Sequence, residues 1–217
     1  QRDFCIFFAT RDGKVKKTAL RDFANVRRGG IIAIKIVPGD NLIEARFTTG
    51  HDDVVLITSN GQSIRFHEDD VRTMGRSAAG VRGIRLGKED HVIALAIADP
   101  EAMLLVAGEN GKAKKSDFDD YRVQARGGKG IITMKTTKKT GNVVGALAVH
   151  DNDEIMIITV GGQMVRTSVK GIRKTGRIAQ GVQIVKLHES DRLQDIAPVI
   201  TAERAEESVE DKEEDTE

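Results

Sequence analysis

Apolar runs recur along the chain at a spacing near fifty residues, and each ends at a turn glycine. Residues 4–10, 54–58, 103–107 and 155–159 lead into Asp12-Gly13, Asn60-Gly61, Asn110-Gly111 and Gly161-Gly162. Such dipeptides supply the positive φ angles of tight hairpin turns, so each unit is predicted to begin with a β-hairpin. A second glycine follows at Gly30, Gly80, Gly130 and Gly181, and each opens another predicted strand, at 31–37, 81–86, 131–136 and 182–187. A third apolar run starts at Leu42, Val92, Val143 and Leu193. The pattern predicts an all-β, propeller-like fold of four repeats of about 50 residues with four strands each, with boundaries near 1–49, 50–99, 100–150 and 151–200. No long segment carries a 3.6-residue period, so little helix is expected. Kelch and WD40 propellers rely on Trp-containing signatures; this chain has no Trp and one Tyr.

Composition adds an asymmetry of charge. The 217 residues carry a net +1, yet 203–217 hold nine acidic residues against Arg204 and Lys212, leaving the first 202 residues at +8. A basic body points to a polyanionic partner, and 201–217, nearly devoid of apolar residues, is expected to be a disordered acidic tail. No apolar run reaches the length of a membrane span, so no membrane partner is expected. The lone Cys5 lies in an apolar run and reads as a core thiol. The chain opens on Gln1, as a fragment would.

Self-alignment of the repeats locates the basic charge. Four residues after the hairpin glycine stand Lys17, Arg65, Lys115 and Arg166; five after the second glycine stand Lys35, Arg85, Lys135 and Lys186. Just before that glycine stand Arg27, Arg76, Arg126 and Arg177. In an array of blades, equivalent positions point the same way, so each set would form a stripe able to replace counterions along a bent duplex without reading bases. Lys14, Lys16, Arg28, Arg82, Lys112, Lys114 and Lys129 complete the predicted contacts to double-stranded, sequence-nonspecific DNA. The plainer alternative for the strand positions is a charge that blocks edge-to-edge aggregation.

The most distinctive local sequence is Gln124-Ala125-Arg126-Gly127-Gly128-Lys129-Gly130, whose glycines would let backbone N–H groups approach a phosphate. It is no nucleotide P-loop, because Lys129 is followed by Gly130 rather than Ser or Thr. The heptad resembles the gyrase box, Q-[RK]-R-G-G-[RK]-G, with Ala125 at the second place. Gly13-Lys14-Val15-Lys16-Lys17-Thr18, the runs from Met74 to Arg76 and from Gly80 to Gly87, and Val165-Arg166-Thr167 are similar to later blades of gyrase A C-terminal domains. That resemblance covers about residues 3–200. It implies a six-bladed β-pinwheel, in which strands are exchanged between neighbouring blades and DNA wraps a basic rim, with two blades upstream of the four here. As partners in an A2B2 assembly it implies the rest of the gyrase A polypeptide together with gyrase B. It also implies a cytoplasmic location and support of ATP-dependent negative supercoiling. Because the box of that family sits in its first blade, the heptad in the third repeat looks like a degenerate copy.

No catalytic centre is expected. The cleaving tyrosine of type II topoisomerases follows arginine, whereas Tyr121 follows Asp120 and reads as a packing or rim residue. His51, His67, His91, His150 and His188 lack metal-ligand spacing, so neither metal nor cofactor is expected. Asp52-Asp53, Asp69-Asp70 and Asp119-Asp120 recur around predicted turns. Two alternatives stay open: a C-terminal domain of the topoisomerase IV counterpart of gyrase A, and a protein-interaction propeller whose basic rim docks an acidic protein.

Overall fold

A computed structural model describes residues 4–200. The predicted acidic tail at 201–217 lies outside the described residues. Each repeat builds a hairpin and a third long strand. In the first repeat these are β1 (Cys5–Thr10), β2 (Lys14–Ala19) and β3 (Leu42–Thr48), and in the second β4 (Asp53–Thr58), β5 (Gln62–His67) and β7 (Val92–Ile97). The third repeat supplies β8 (Met103–Gly108), β9 (Lys112–Asp117) and β11 (Val143–Val149), and the fourth β12 (Glu154–Thr159), β13 (Met164–Ser168) and β15 (Leu193–Pro198). A single-turn 3-10 segment follows each hairpin, at Leu20–Phe23, Glu68–Asp70, Phe118–Asp120 and Val169–Gly171.

The predicted strands after the second glycine shrink to two residues: β6 (Val81–Arg82), β10 (Ile131–Ile132) and β14 (Val182–Gln183). Each joins the sheet of the preceding repeat. The sheet orders are β3-β1-β2-β6, β10-β5-β4-β7 and β11-β8-β9-β14, while the last sheet, β13-β12-β15, has three strands. The register repeats at each junction: Val81 faces Val15, Ile131 faces Ser63 and Val182 faces Ala113. Beyond these pairs the chain leaves the ladder to cross the hairpin tip, where Gly83 N–H donates to Gly13 O and Thr133 N–H to Gly61 O. The strand expected at 31–37 does not form. Its counterparts are all paired to a preceding repeat, and the described residues include no repeat before the first.

The second glycines make the exchange possible. Gly80, Gly130 and Gly181 have φ of 87°, 75° and 78°, and a Cβ on them would sit 2.4, 2.2 and 2.3 Å from the carbonyl oxygens of Val15, Ser63 and Ala113. No other residue fits both the left-handed backbone and the contact.

The core lies between sheets. Phe7, Val15, Leu56, Ile64, Phe66 and Val71 fill the space between the first two sheets, and equivalent clusters centre on Leu104 and Phe118, then on Ile157 and Ile172. The third strands touch in series, β3 to β7, β7 to β11 and β11 to β15. They form the inner edge of the array, which places β6, β10 and β14 on the outer edge. Cys5 is buried, as expected of a core thiol.

Candidate nucleic-acid interface

The three predicted basic stripes separate sharply. Lys35, Arg85, Lys135 and Lys186 are all exposed. None of the four side chains is hydrogen-bonded or ion-paired among the described residues. Two of the backbones are nonetheless fixed at the junctions: Lys35 N–H donates to Ala78 O at 3.1 Å and Arg85 N–H to Gly128 O at 2.8 Å. Arg85, Lys135 and Lys186 thus stand just past exchanged strands at the outer edge, Lys35 takes the equivalent place in a stretch that forms no strand, and the next repeat holds the backbone of Lys35 and Arg85. Arg82 is exposed beside this line, and Lys14 and Lys112 are half-buried at hairpin starts.

The stripe four residues after the hairpin glycine is instead a set of staples between repeats, and this corrects its assignment to the rim. Lys17 is 5% exposed and reaches Asp69 at 3.0 Å and the buried Glu68 at 3.5 Å. Arg65 pairs with Asp53 at 2.8 Å and donates to Phe118 O at 2.8 Å. Lys115, 4% exposed, binds Asp151 and donates to Val169 O at 3.0 Å. Each therefore grips the 3-10 turn of the following repeat. Arg166, with no following repeat among the described residues, stays exposed and holds Glu154 of its own hairpin. The aggregation-blocking alternative fails for Lys17 and Lys115, which do not face solvent.

Lys16 and Lys114 are also corrections, because both are fully buried. Lys16 Nζ donates to Arg76 O at 2.6 Å and to Ala33 O and lies 5.3 Å from the centre of the Phe8 ring. Burial lowers its pKa to about 8, with the Arg76 guanidinium acting in the same direction and Asp22 opposing it. Lys114 Nζ donates to Ser116 Oγ at 2.7 Å and contacts the Tyr121 hydroxyl at 3.5 Å, and burial lowers its pKa to about 7. Ile64 and Val165 hold the equivalent places in the other repeats. Tyr121 is a core residue whose hydroxyl lies 2.8 Å from that of Thr133.

The arginines before the second glycine clasp the preceding repeat. Arg76 donates to Ile32 O at 3.4 Å, Arg126 to Arg82 O at 3.1 Å and Asp70 O at 2.7 Å, and Arg177 to Ile132 O. All three are half-buried, whereas Arg27 and Arg28 in the first repeat are exposed. The heptad belongs to this junction. Gln124 N–H donates to Arg65 O, Gly127 N–H to Gly83 O, and Gly128 O accepts from Arg85. Gly127 N–H is thereby committed to the fold rather than to a phosphate, and Gly130 is a packing glycine. Only Ala125 and Lys129 of the seven are exposed.

One recurrent cation escaped the sequence reading. Arg72, Arg122 and Arg173, eleven residues after the hairpin glycine, are exposed. The same self-alignment carries the signal, three times in four; the first repeat breaks it with Ala24. Among the described residues no group of His, Cys, Asp or Glu could hold a metal ion, and no helix is long and apolar enough to cross a membrane.

Comparison with known proteins places this geometry. A family model described as "DNA gyrase C-terminal domain, beta-propeller" matches residues 6–49, 52–99, 102–150 and 153–200. The chain is 43% identical to the DNA gyrase A protein of Mycolicibacterium smegmatis over 213 residues, covering 97% of the chain and 25% of that protein. It is 41% identical to the DNA gyrase A protein of Escherichia coli K12, covering 97% and 23%. The chain thus spans about a quarter of the length of these relatives. Among solved structures, a gyrase A C-terminal domain aligns with TM-score 0.82 at 27% identity, over 92% of this chain and 67% of that one. A topoisomerase IV C-terminal domain aligns with TM-score 0.87 at 24% identity, over 99% and 68%, a likeness of fold.

Proposed function

The chain belongs to the DNA gyrase C-terminal domain family, and from that premise we propose that it binds and bends duplex DNA along its outer edge without sequence preference. The observation that carries this reading is the line Lys35, Arg85, Lys135 and Lys186: four equivalent cations, exposed and unpaired among the described residues, two of them, Lys35 and Arg85, with their backbones bonded to the next repeat. Cations repeated along an edge match phosphates repeated along a duplex, and releasing condensed counterions drives the association. Bending 20–30 base pairs costs on the order of 1–6 kcal/mol, so the contacts must act together. Within a gyrase, such a module presents a distant DNA segment to the cleavage gate formed by the remainder of gyrase A with gyrase B. Its own contribution is binding and not bond cleavage, and a cytoplasmic location goes with that role.

The test is fluorescence anisotropy on a labelled duplex at a series of salt concentrations. The native chain is expected to lose affinity steeply with salt, and the quadruple variant Lys35→Ala, Arg85→Ala, Lys135→Ala, Lys186→Ala to bind at least about tenfold more weakly, with a log–log slope shallower by about 3–4. Affinity insensitive to salt, or a quadruple variant that binds as the native chain does, would overturn the reading.

A further inference from the structure

Three of the four 3-10 turns share one scaffold but not one charge. In the second, third and fourth repeats a buried residue begins the turn and another closes it: Glu68 and Val71, Phe118 and Tyr121, Val169 and Ile172. The closing N–H returns to the opening carbonyl at 3.0 Å in all three. The two positions between them point outward. They are Asp69-Asp70 and Asp119-Asp120 in the second and third repeats, and Lys170-Gly171 in the fourth. With the arginine that follows, residues 68–74 carry −2, 118–124 carry −1 and 169–175 carry +3.

Each turn lies beside the outer edge already described. Thr73, Val123 and Lys174, next to the arginines Arg72, Arg122 and Arg173, bridge to Lys17, Arg65 and Lys115 on the second hairpin strands. The first line of cations leaves the same strands near their hairpin ends, where Ile84 N–H meets Gly13 O. The anchor points are about four strand residues apart, or ~13 Å. That separation is close to the ~12 Å width of a major groove, so a duplex lying on the first line brings its other phosphate backbone over the turns.

We propose that the turn of the fourth repeat, through Lys170 and Arg173, is a second phosphate-binding site that anchors one end of the bound duplex. The inference rests on the DNA-binding reading above. Both side chains are exposed, and neither makes a hydrogen bond or ion pair among the described residues. Lys174 is neutralised by Asp117 at 2.7 Å, and the nearby Asp151 is taken by Lys115. Two free cations remain on a frame pinned by Val169 and Ile172. At the second and third repeats the aspartates repel phosphate and cancel Arg72 and Arg122. Among the second, third and fourth turns, contact on this side is therefore confined to the fourth, and these repeats hold DNA unequally.

The experiment compares three variants of the full chain by the same salt titration. Lys170→Glu with Arg173→Glu should weaken binding at least about fivefold and lower the slope by about 2. Lys138→Glu with Lys139→Glu makes the same change in net charge at exposed residues of a different loop, and should shift affinity less than about twofold. Grafting the fourth turn onto the third, as Asp119→Lys with Asp120→Gly, should tighten binding and steepen the slope. The proposal is overturned if the first variant behaves like the second, or if the graft changes nothing. Either result, with salt-dependent binding by the native chain intact, leaves the broader reading standing; loss of salt-dependent binding by the native chain is the separate failure of that reading.

Discussion

Lys17 and Lys35 recur through the repeats with equal regularity, yet Lys17, Arg65 and Lys115 are held between repeats while the line through Lys35 stands in solvent. The buried line meets carboxylates and carbonyls of the next repeat. The exposed line meets nothing among the described residues. Repetition within a sequence thus marks any task performed once per repeat, and joining neighbours is such a task as surely as holding a ligand. What separates the two is whether the opposite charge is supplied by the fold or left to a partner.

The sharpest way to break this comparison is to exchange its members. Lys17→Met leaves Glu68 buried with its backbone and Thr48 hydrogen bonds but without its cation, and is expected to cost about 3 kcal/mol in urea unfolding. Its salt dependence of DNA binding, measured where the chain is folded, should stay native. Lys35→Met, on the exposed line, should change stability by less than about 0.5 kcal/mol and shift only DNA binding. A Lys17 variant of native stability would dissolve the distinction.

Gly130→Ala tests the hinge on which both lines depend. A Cβ 2.2 Å from Ser63 O forces the exchanged strand β10 away from β5. A loss of about 2 kcal/mol is expected from strain and broken pairing, read as a lower thermal midpoint. Faster amide exchange in β5 should accompany it, and unchanged exchange there would show that the junction tolerates the side chain.

The smallest effect concerns the buried lysines without a carboxylate. Lys114, lowered to about 7, is largely neutral in the folded chain at pH 8–9, whereas the unfolded chain keeps the proton up to the ordinary lysine range. The unfolded state binds more protons in that window, so stability should rise with pH from about 7 towards 10. Lys114→Ile, which copies Ile64 of the second repeat, should stabilise by on the order of 1–2 kcal/mol at pH 7, with the gain shrinking as pH rises. The slope that persists belongs to Lys16. A gain independent of pH would assign the effect to packing alone.

The hairpins were legible because Asp12-Gly13 and its equivalents punctuate apolar runs, and all four third strands begin at the predicted residues. The exchanged strands were legible as positions but not in length. Gly83 and Thr133 turn away to bond a hairpin tip about seventy residues away, a contact no local pattern encodes. Lys17 looked like a rim residue for the same reason: its partners, Glu68 and Asp69, lie about fifty residues on. Arg72, Arg122 and Arg173 were within reach of the self-alignment, and the break at Ala24 hid them. The heptad drew attention through composition, whereas its glycines answer to Ser63 O and Gly83 O.

Strand exchange also has a mechanical meaning. Every sheet but the last is completed by its successor, so two neighbouring repeats cannot pivot without sliding β6 along β2, β10 along β5 or β14 along β9. The array behaves as overlapping plates rather than beads on a string, resisting bending at each joint. Its curvature is set when it folds, and a flexible polymer laid on its edge must adopt that curvature instead of imposing its own.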